Sequence, residues 1–294
     1  MSATYLHRLA ARSAALGTVL CLGVDPDPES LPDGFSRDVA GVESFARLLV
    51  EAAAPFAAAV KPNLAFFEAF GSAGLAALER VRAAIPSGVP VILDAKRGDI
   101  RTTTARHAVA LYDALGADAV TINPYPGEEA LWPHIERLDR LAYVLCRTSN
   151  PGAAELQGLR LEAVDGAPAE PVYARVARRV SEWGPGGTVG LVVGATAPAE
   201  LREIRAIAPG LPILVPGVGA QGGEVDAILQ AGPATAPPAG EGHGGGLLVN
   251  VSRGIASAAA SESPDMVRGG PVLDLGERLA ERARSWGARL PVLR

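Results

Sequence analysis

Four charged side chains directly follow an apolar run within residues 91–100, which read VILDAKRGDI. They are Asp94, Lys96, Arg97 and Asp99. A buried charge costs free energy unless it is paired, so this stretch is either the solvated end of a strand or a site that uses its charges. In such a site, an ammonium group fixed near carboxylates can stabilise negative charge that develops during a reaction.

A second lysine, Lys61, lies in the apolar stretch AAAVKPN at 57–63, where we expect access to water to be limited. Two carboxylates about 4 Å apart would repel each other by about 4 kcal/mol at an effective dielectric constant of about 20. Interleaved ammonium groups at similar distances offset that repulsion. We therefore predict a Lys-Asp-Lys-Asp array in which all four catalytic candidates stay charged. Its members are Lys61, Asp94, Lys96 and Asp99.

Two glycine-containing stretches later in the chain indicate a phosphate site. They are VPGVGAQGG at 215–223 and VNVSRGI at 249–255. Glycines let backbone N–H groups approach a ligand closely, Gln221 can donate from its amide, and Arg253 can form a bidentate pair with a phosphate. One glycine-rich turn would be weak evidence, but two loops, one of them with an arginine, favour phosphate binding.

Short β-branched segments alternate with helical segments rich in alanine, leucine and arginine. The predicted strands cover residues 18–24, 57–63, 89–95, 118–123, 141–147, 188–194, 211–216 and 247–252. The predicted helices cover residues 43–54, 72–85, 102–115, 170–182, 197–207 and 275–287, and the amphipathic segment YLHRLAARSAALG precedes the first strand. Eight βα units in a chain of this length fit an α/β fold, the (β/α)8 TIM barrel. A doubly wound open sheet is the alternative, but LGVDPDP stands where that fold carries G-x-G-x-x-G.

The C-terminal ends of barrel strands converge on one face, where active sites lie. The candidates at these ends, in chain order, are Asp25, Lys61, Asp94, Lys96, Ser149, Pro216, Ser252 and Arg253. Asp94 and Lys96 are two positions apart, so an extended backbone directs both side chains to the same side. The loops after the seventh and eighth strands are the usual phosphate-binding position of this fold.

We expect one barrel domain across residues 1–294, with an N-terminal helix and extended loops. Two connections exceed the barrel minimum, at about 150–169 and 232–246. The first follows the fifth strand on the face where barrel loops carry function, so we expect it to cover the site. The second is rich in glycine and proline and is interpreted as a surface insertion.

The composition argues against several classes of protein. The chain is 48% hydrophobic and 20% charged, with a net charge of −5 and a pI near 5.5. This balance disfavours broad electrostatic binding to nucleic acid or to an anionic membrane. The N-terminal segment lacks a signal-peptide layout, and no apolar run approaches the roughly 20 residues that span a bilayer. We therefore expect a cytoplasmic protein.

The cysteines and histidines show no metal-site spacing, and no metal site is predicted. Cys21 and Cys146 lie in apolar runs and are interpreted as buried hydrophobic residues of a reducing compartment. The four histidines are scattered and are interpreted as structural or surface residues; they stand at positions 7, 107, 134 and 243.

Taken together, the motifs resemble the orotidine 5′-phosphate decarboxylase family, and most closely its longer bacterial subgroup with the DAKRGDI signature. The motifs are LGVDP (22–26), VKPN (60–63), D-x-K-x-x-D-I (94–100), TSNPG (148–152), VPGVGAQGG (215–223) and NVSRGI (250–255). They occur in order from about residue 18 to residue 255. The D-x-K-x-x-D pattern alone is shared with metal-dependent relatives of the same superfamily, whereas its combination with the phosphate loops is specific.

The resemblance implies conversion of orotidine 5′-phosphate to UMP and CO2, the last step of de novo pyrimidine synthesis, without a metal or organic cofactor. It implies that Asp94 faces the substrate carboxylate and that Lys96 protonates C6 after CO2 has left. By the same resemblance, Lys61 and Asp25 bind ribose hydroxyls and Ser149 contacts the pyrimidine.

The resemblance also implies a homodimer with shared active sites. Asp99, Ile100 and Thr103 would reach into the site of the partner subunit. Gln221 and Arg253 would hold the phosphate, with Pro216 and Ser252 as further substrate-binding residues. The family usually continues Asp-Ile with Gly or Pro and then Asn-Thr, whereas this chain has Arg101 and Thr102 before the matching Thr103.

Two other functions remain open from sequence. One is a metal-dependent sugar-phosphate decarboxylase or aldolase of the same superfamily, which is disfavoured because the second strand offers Lys61 where a cation would need an acid. The other is a non-catalytic nucleotide-binding barrel. That function is disfavoured because a pure binder has no evident need for Asp94 beside a carboxylate.

Overall fold

A computed structural model describes residues 3–164, 166, 168–219, 224–240, 243–257 and 274–293. Eight parallel strands form one sheet: β1 (Leu20–Val24), β2 (Ala59–Pro62), β3 (Ile92–Arg97), β4 (Ala119–Ile122), β5 (Leu141–Arg147), β6 (Val189–Val193), β7 (Ile213–Pro216) and β8 (Leu247–Val251). In the sheet they follow the order β2-β1-β8-β7-β6-β5-β4-β3. The apolar segments predicted as strands do form strands, and they belong to one parallel sheet, whose strands are typically buried on both faces.

The sheet closes into a barrel between β2 and β3. Parallel bridges join Val60 to Val91 and Asn63 to Asp94, and the amide of Leu64 donates to the carbonyl of Asp94 at 3.2 Å. The predicted (β/α)8 barrel is confirmed. The point of closure also brings the ends of β2 and β3 side by side, and these are the strands that carry Lys61 and Asp94.

Helices surround the barrel. They are α1 (Tyr5–Leu16), α2 (Val39–Ala53), α3 (Ala65–Glu68), α4 (Gly71–Ala84), α5 (Arg101–Ala108), α6 (Glu128–Ile135), α7 (Ala154–Gln157), α8 (Val172–Ser181), α9 (Pro198–Ile207), α10 (Val225–Ala231), α11 (Arg253–Ala256) and α12 (Leu275–Arg289). Side chains cap the start of the two 15-residue helices, α2 and α12. Asp38 accepts from the amide of Gly41 at the start of α2, and Asp274 forms a capping box with Glu277 at the start of α12.

Alternation along the strands divides the buried residues into two layers, since successive side chains of a strand point to opposite faces. One face packs against the helices, for example through Leu22, Val60 and Leu93. The other face fills the barrel interior and includes Cys21, Ile92 and other residues near the strand starts. Continuing the inward alternation along β2 and β3 leads from apolar residues to the charged residues at the strand ends.

Helix α1 covers the N-terminal end of the barrel. Its Tyr5 and Leu9 are buried with the inward residues of the strands, and the Tyr5 hydroxyl lies 3.1 Å from that of Tyr143 on β5. Gly17 ends the helix in the left-handed conformation, with φ of 68°. Described side chains fill this end of the barrel, so a ligand would enter at the opposite end.

Several elements differ from those predicted. The predicted helix 102–115 is α-helical only to Ala108 and continues as a π-helical segment, Val109–Ala114. Helix α6 was not predicted, and its internal Pro133 weakens the helical signal of that stretch. The expected long connection at 150–169 contains α7 and Arg160–Leu161, which forms a two-residue antiparallel ladder with Glu170–Pro171 just beyond it. The assignment of all 294 residues to one domain stays a prediction.

Candidate active site

A single carboxylate at the end of β3 accepts hydrogen bonds from two lysines. Nζ of Lys61, on β2, lies 2.5 Å from Oδ2 of Asp94, and Nζ of Lys96 lies 2.5 Å from Oδ1 of the same group. The side chains differ in exposure: 4% for Lys61, 11% for Asp94 and 50% for Lys96. Lys96 is therefore the more exposed ammonium of this cluster.

The charges of the cluster stabilise one another. Burial alone would raise the pKa of Asp94, but the ammonium groups of Lys61 and Lys96 outweigh it and hold that pKa well below its usual range. Burial alone would lower the pKa of Lys61, but the carboxylates of Asp94 and Asp25 outweigh it and raise that pKa. Both shifts favour the ionised forms, so Lys61 and Asp94 carry their charges at neutral pH.

The side chains of Asp94 and Lys96 meet as predicted, but the backbone that joins them is not extended throughout as expected. Lys96 has φ of 47°, in the left-handed region that side chains other than glycine rarely adopt. The register between β3 and β4 shifts between Leu93 and Arg97, so the chain bulges here. Asp94 and Lys96 meet because the bulge bends the backbone, and this was not visible in the spacing of the two residues.

Lys61 and Asp94 lie in the wall of a cavity of about 150 Å³ at the C-terminal end of the barrel, whereas Lys96 is not among the described residues that line it. Seven of the residues predicted for the site line this cavity: Asp25, Lys61, Asp94, Ser149, Pro216, Ser252 and Arg253. A larger cavity of about 550 Å³ adjoins it and shares Asp25, Asn63 and Arg253 with it. Together they offer space of the size that small-molecule sites occupy.

Two buried oxygen atoms in the cavity wall have no hydrogen-bond partner within the described part of the chain, Oδ1 of Asp25 and Oδ1 of Asn250. Unpaired buried acceptors are costly, and hydroxyl groups of a ligand would supply donors to them. Gly23 lets the side chain of Ser252 pack against the backbone of β1, because a Cβ at position 23 would lie only 1.8 Å from Oγ of Ser252.

Comparison with known proteins identifies the family. Residues 18–263 match the model of the orotidine 5′-phosphate decarboxylase / HUMPS family. The chain belongs to this family. It is 47% identical over 261 residues to the orotidine 5′-phosphate decarboxylase of Thermomicrobium roseum, covering 88% of each chain. It is 43% identical over 260 residues to that of Herpetosiphon aurantiacus, covering 88% of this chain and 91% of the relative. The family resemblance predicted from the motifs is confirmed.

A solved structure agrees in fold. The structure of the Leishmania donovani OMP decarboxylase superposes on this chain with a TM-score of 0.77. The two sequences are 36% identical, and the match covers 97% of each chain. Its barrel is the architecture described above. No helix within the described residues is both long and apolar enough to cross a membrane.

Three residues that the family resemblance assigns to the partner's site lie apart from the cavity of their own chain. Asp99 and Ile100 are exposed, Ile100 to 66%, and Thr103 is half-buried. Among the described residues, the cavity wall contains none of the three. Asp99 accepts a hydrogen bond from the amide of Ile100 at 2.7 Å. Gln221 lies outside the described residues.

Three polar residues of the site were missed from sequence. Asn63 and Asn250 line the cavity, and Thr121 on β4 donates from Oγ1 to Oδ1 of Asp94 at 2.9 Å. Their signal was available in principle, since each is a polar residue at an inward position near the end of a strand otherwise rich in apolar residues. The signal of Thr121 is weak, because threonine is common in strands.

Proposed function

We propose that the protein decarboxylates orotidine 5′-phosphate to UMP and CO2 in de novo pyrimidine synthesis, without a metal or organic cofactor. The observation that carries the proposal is Asp94, held between Lys61 and Lys96 in the wall of a cavity that also contains Arg253. A site for a nucleoside monophosphate needs a cation for the phosphate at one end and polar groups for the base at the other. The names of the relatives support the same reaction.

The residues divide into three binding regions. Arg253 would pair with the phosphate, with Ser252 beside it and Gln221 as the expected amide donor. Asp25, whose Oδ1 is unpaired and buried, would accept from a ribose hydroxyl that also contacts Lys61. Ser149 would contact the pyrimidine, and Pro216 lines the wall nearby.

The chemistry breaks the bond between C6 and the carboxylate carbon of the substrate. CO2 leaves and the electron pair of that bond stays on C6, where no neighbouring π-system stabilises it well. The ammonium of Lys96 would stabilise this charge, which is usually the largest catalytic effect available to an enzyme, and then transfer a proton to C6 to give UMP. The neutral amine of Lys96 regains its proton from solvent.

Asp94 and the phosphate contribute in different ways. The carboxylate of Asp94 would repel the carboxylate of the substrate and so favour its departure, while Lys61 keeps Asp94 ionised. Contacts with the phosphate, remote from the reacting carbon, can draw loops over the site and express part of the binding free energy only in the transition state. Slow reactions need up to about 23 kcal/mol of barrier reduction, so these effects must act together.

The proposal includes a homodimer with shared sites, in which Asp99 of one chain completes the charged array of the other and Ile100 and Thr103 reach into the same site. The exposure of Asp99 and Ile100 supports it, since Ile100 is 66% exposed. Tyr125, on the loop that follows β4, is 95% exposed, and a large exposed aromatic residue is typical of an interface. A two-fold arrangement would complete both sites at once.

The cytoplasm is the expected compartment. Cys21 and Cys146 are both buried and free, as in proteins of reducing compartments.

The decisive experiment is an absorbance assay with orotidine 5′-phosphate, run with and without EDTA, together with calorimetric titration of UMP. We expect turnover that EDTA does not affect, and UMP binding. Loss of activity with EDTA would favour a metal-dependent relative of the superfamily. UMP binding without turnover would favour a non-catalytic nucleotide-binding barrel.

A further inference from the structure

We infer that Thr121 is a positioning residue for the proposed decarboxylation, and that its hydroxyl group sets the geometry of Asp94 and Lys96. The inference rests on the proposed function. Thr121 is 2% exposed and faces inward on β4. Its Oγ1 donates to Oδ1 of Asp94 at 2.9 Å and accepts from the amides of Ala95 and Lys96, each at 3.0 Å. All the hydrogen bonds of this hydroxyl therefore go to one segment of β3.

The backbone of that segment depends on the hydroxyl. The β3–β4 ladder pairs Leu93 with Val120 and resumes at Arg97 with Ile122. Residues 94–96 thus lie opposite Thr121 alone, and Oγ1 of Thr121 accepts hydrogen bonds from two of their backbone amides. Buried amides left without a partner are costly, so the hydroxyl stabilises the bulge in place of ladder hydrogen bonds.

The same hydroxyl supports the unusual conformation of Lys96. A residue with φ of 47° needs surrounding contacts to hold it there, and Lys96 N is one of the two amides bound to Thr121. Without that contact, the backbone could relax towards an extended conformation. The ammonium at the end of the Lys96 side chain would then move relative to a bound substrate, and a displacement of about 1 Å can cost about 100-fold in rate.

The hydroxyl also orients the carboxylate. Oδ1 of Asp94 accepts hydrogen bonds from Thr121 and Lys96, while Oδ2 accepts one from Lys61. These contacts fix the rotation of the carboxylate, so each oxygen faces its own lysine. Asp94 is among the described residues that line the cavity, whereas Lys96 and Thr121 are not. Thr121 therefore acts through its contacts with Asp94 and with the backbone of Lys96, and its loss should affect turnover more than ligand binding.

The test compares Thr121→Val, which keeps the shape and removes the hydroxyl, with Thr121→Ser, which keeps the hydroxyl. We expect Thr121→Val to lower kcat by about 10- to 100-fold, while the dissociation constant for UMP changes by less than about threefold. Thr121→Ser should restore most of kcat. Thr188→Val is the matched control, because Thr188 is 1% exposed and its buried Oγ1 has no partner in the described residues.

The outcomes separate the inference from the proposed function. A wild-type protein that does not decarboxylate orotidine 5′-phosphate would overturn the proposed function. With an active wild type, the inference is overturned if Thr121→Val matches the wild type, if Thr121→Ser is as slow as Thr121→Val, or if kcat and UMP affinity fall together. A selective loss of kcat in Thr121→Val, with an active Thr188→Val control, supports it.

Discussion

Nζ of Lys61 lies 2.5 Å from Oδ2 of Asp94, although both side chains are almost fully shielded from water. Each charge would be unfavourable at this depth without the other. The pKa of Asp94 is lowered and that of Lys61 raised, against the direction that burial alone would give. The pair is thus an interdependent unit at the point where β2 and β3 close the barrel.

Removal of Lys61 alone should destabilise the fold. We expect Lys61→Met to lower the free energy of unfolding by about 3 kcal/mol, because it leaves a buried carboxylate with one ammonium instead of two. The double variant Lys61→Met, Asp94→Asn should recover part of the loss, since it removes the unpaired charge. Urea unfolding of the four proteins of this cycle measures the coupling. Additive effects of the two substitutions would contradict an interdependent pair.

Removal of Lys96 should stop the chemistry and spare binding. We expect Lys96→Ala to lower kcat by about three orders of magnitude or more, since it removes the proton donor and the charge near C6. Asp94 keeps its contact with Lys61, so UMP should bind within about threefold of wild-type affinity. Single-turnover assays and calorimetry measure the two effects. Near-normal kcat would refute the assignment of Lys96 as proton donor.

Arg253 should act on the phosphate alone. We expect Arg253→Ala to raise KM and to lower kcat/KM for orotidine 5′-phosphate by about 10- to 100-fold, the range of a lost charge-assisted hydrogen bond. Orotidine, which lacks the phosphate, should be affected much less. Arg282→Ala, which removes an exposed guanidinium from α12, controls for general loss of charge. Equal losses for both substrates would contradict a phosphate role.

The shared site can be tested by mixing two inactive variants. Lys96→Ala and Asp99→Ala should each be nearly inactive as homodimers. In the proposed arrangement a mixed dimer would contain one intact site, because the chain with Lys96 would receive Asp99 from its partner. Random exchange should therefore restore about one quarter of wild-type activity. Activity that stays at the level of the separate variants, while mass spectrometry detects mixed dimers, would show that Asp99 acts only within its own chain.

Much of the site could be predicted because a barrel converts a sequence pattern into a position. Asp25, Lys61 and Arg253 stand at or just beyond the ends of apolar strands, and the fold brings all such ends to one face. They line one cavity as expected. The strand assignments succeeded for the same reason, since each strand is a short apolar run between turns.

The local geometry of β3 could not be predicted in the same way. The left-handed φ of Lys96 and the bulge depend on Thr121, which is 25 residues further along the chain. Periodicity within one strand carries no information about such a contact. In the proposed dimer, the position of Asp99 relative to the other charges would likewise depend on two chains, and spacing within one sequence carries no information about it.

The histidines were interpreted as structural or surface residues, and His134 is the buried one among those described. It is 0% exposed, and neither ring nitrogen has a hydrogen-bond partner in the described part of the chain. The ring packs edge-on against that of Tyr112, with 5.9 Å between the two ring centroids. Burial, with smaller effects from His107 and Arg137, lowers the pKa of His134 to about 4.

This shift predicts a loss of stability in mild acid. Below a pH of about 6.5 the unfolded chain takes up a proton on this histidine, whereas the folded chain does so only near pH 4. Unfolding therefore becomes easier as the pH falls between these values, by up to about 3 kcal/mol, and no further below them. We expect His134→Gln to flatten that part of the profile, measured by urea unfolding between pH 7 and pH 4. His7→Gln, at an exposed position, controls for loss of an imidazole as such. Identical slopes for His134→Gln and wild type would mean that His134 is protonated in the folded protein as readily as in the unfolded chain.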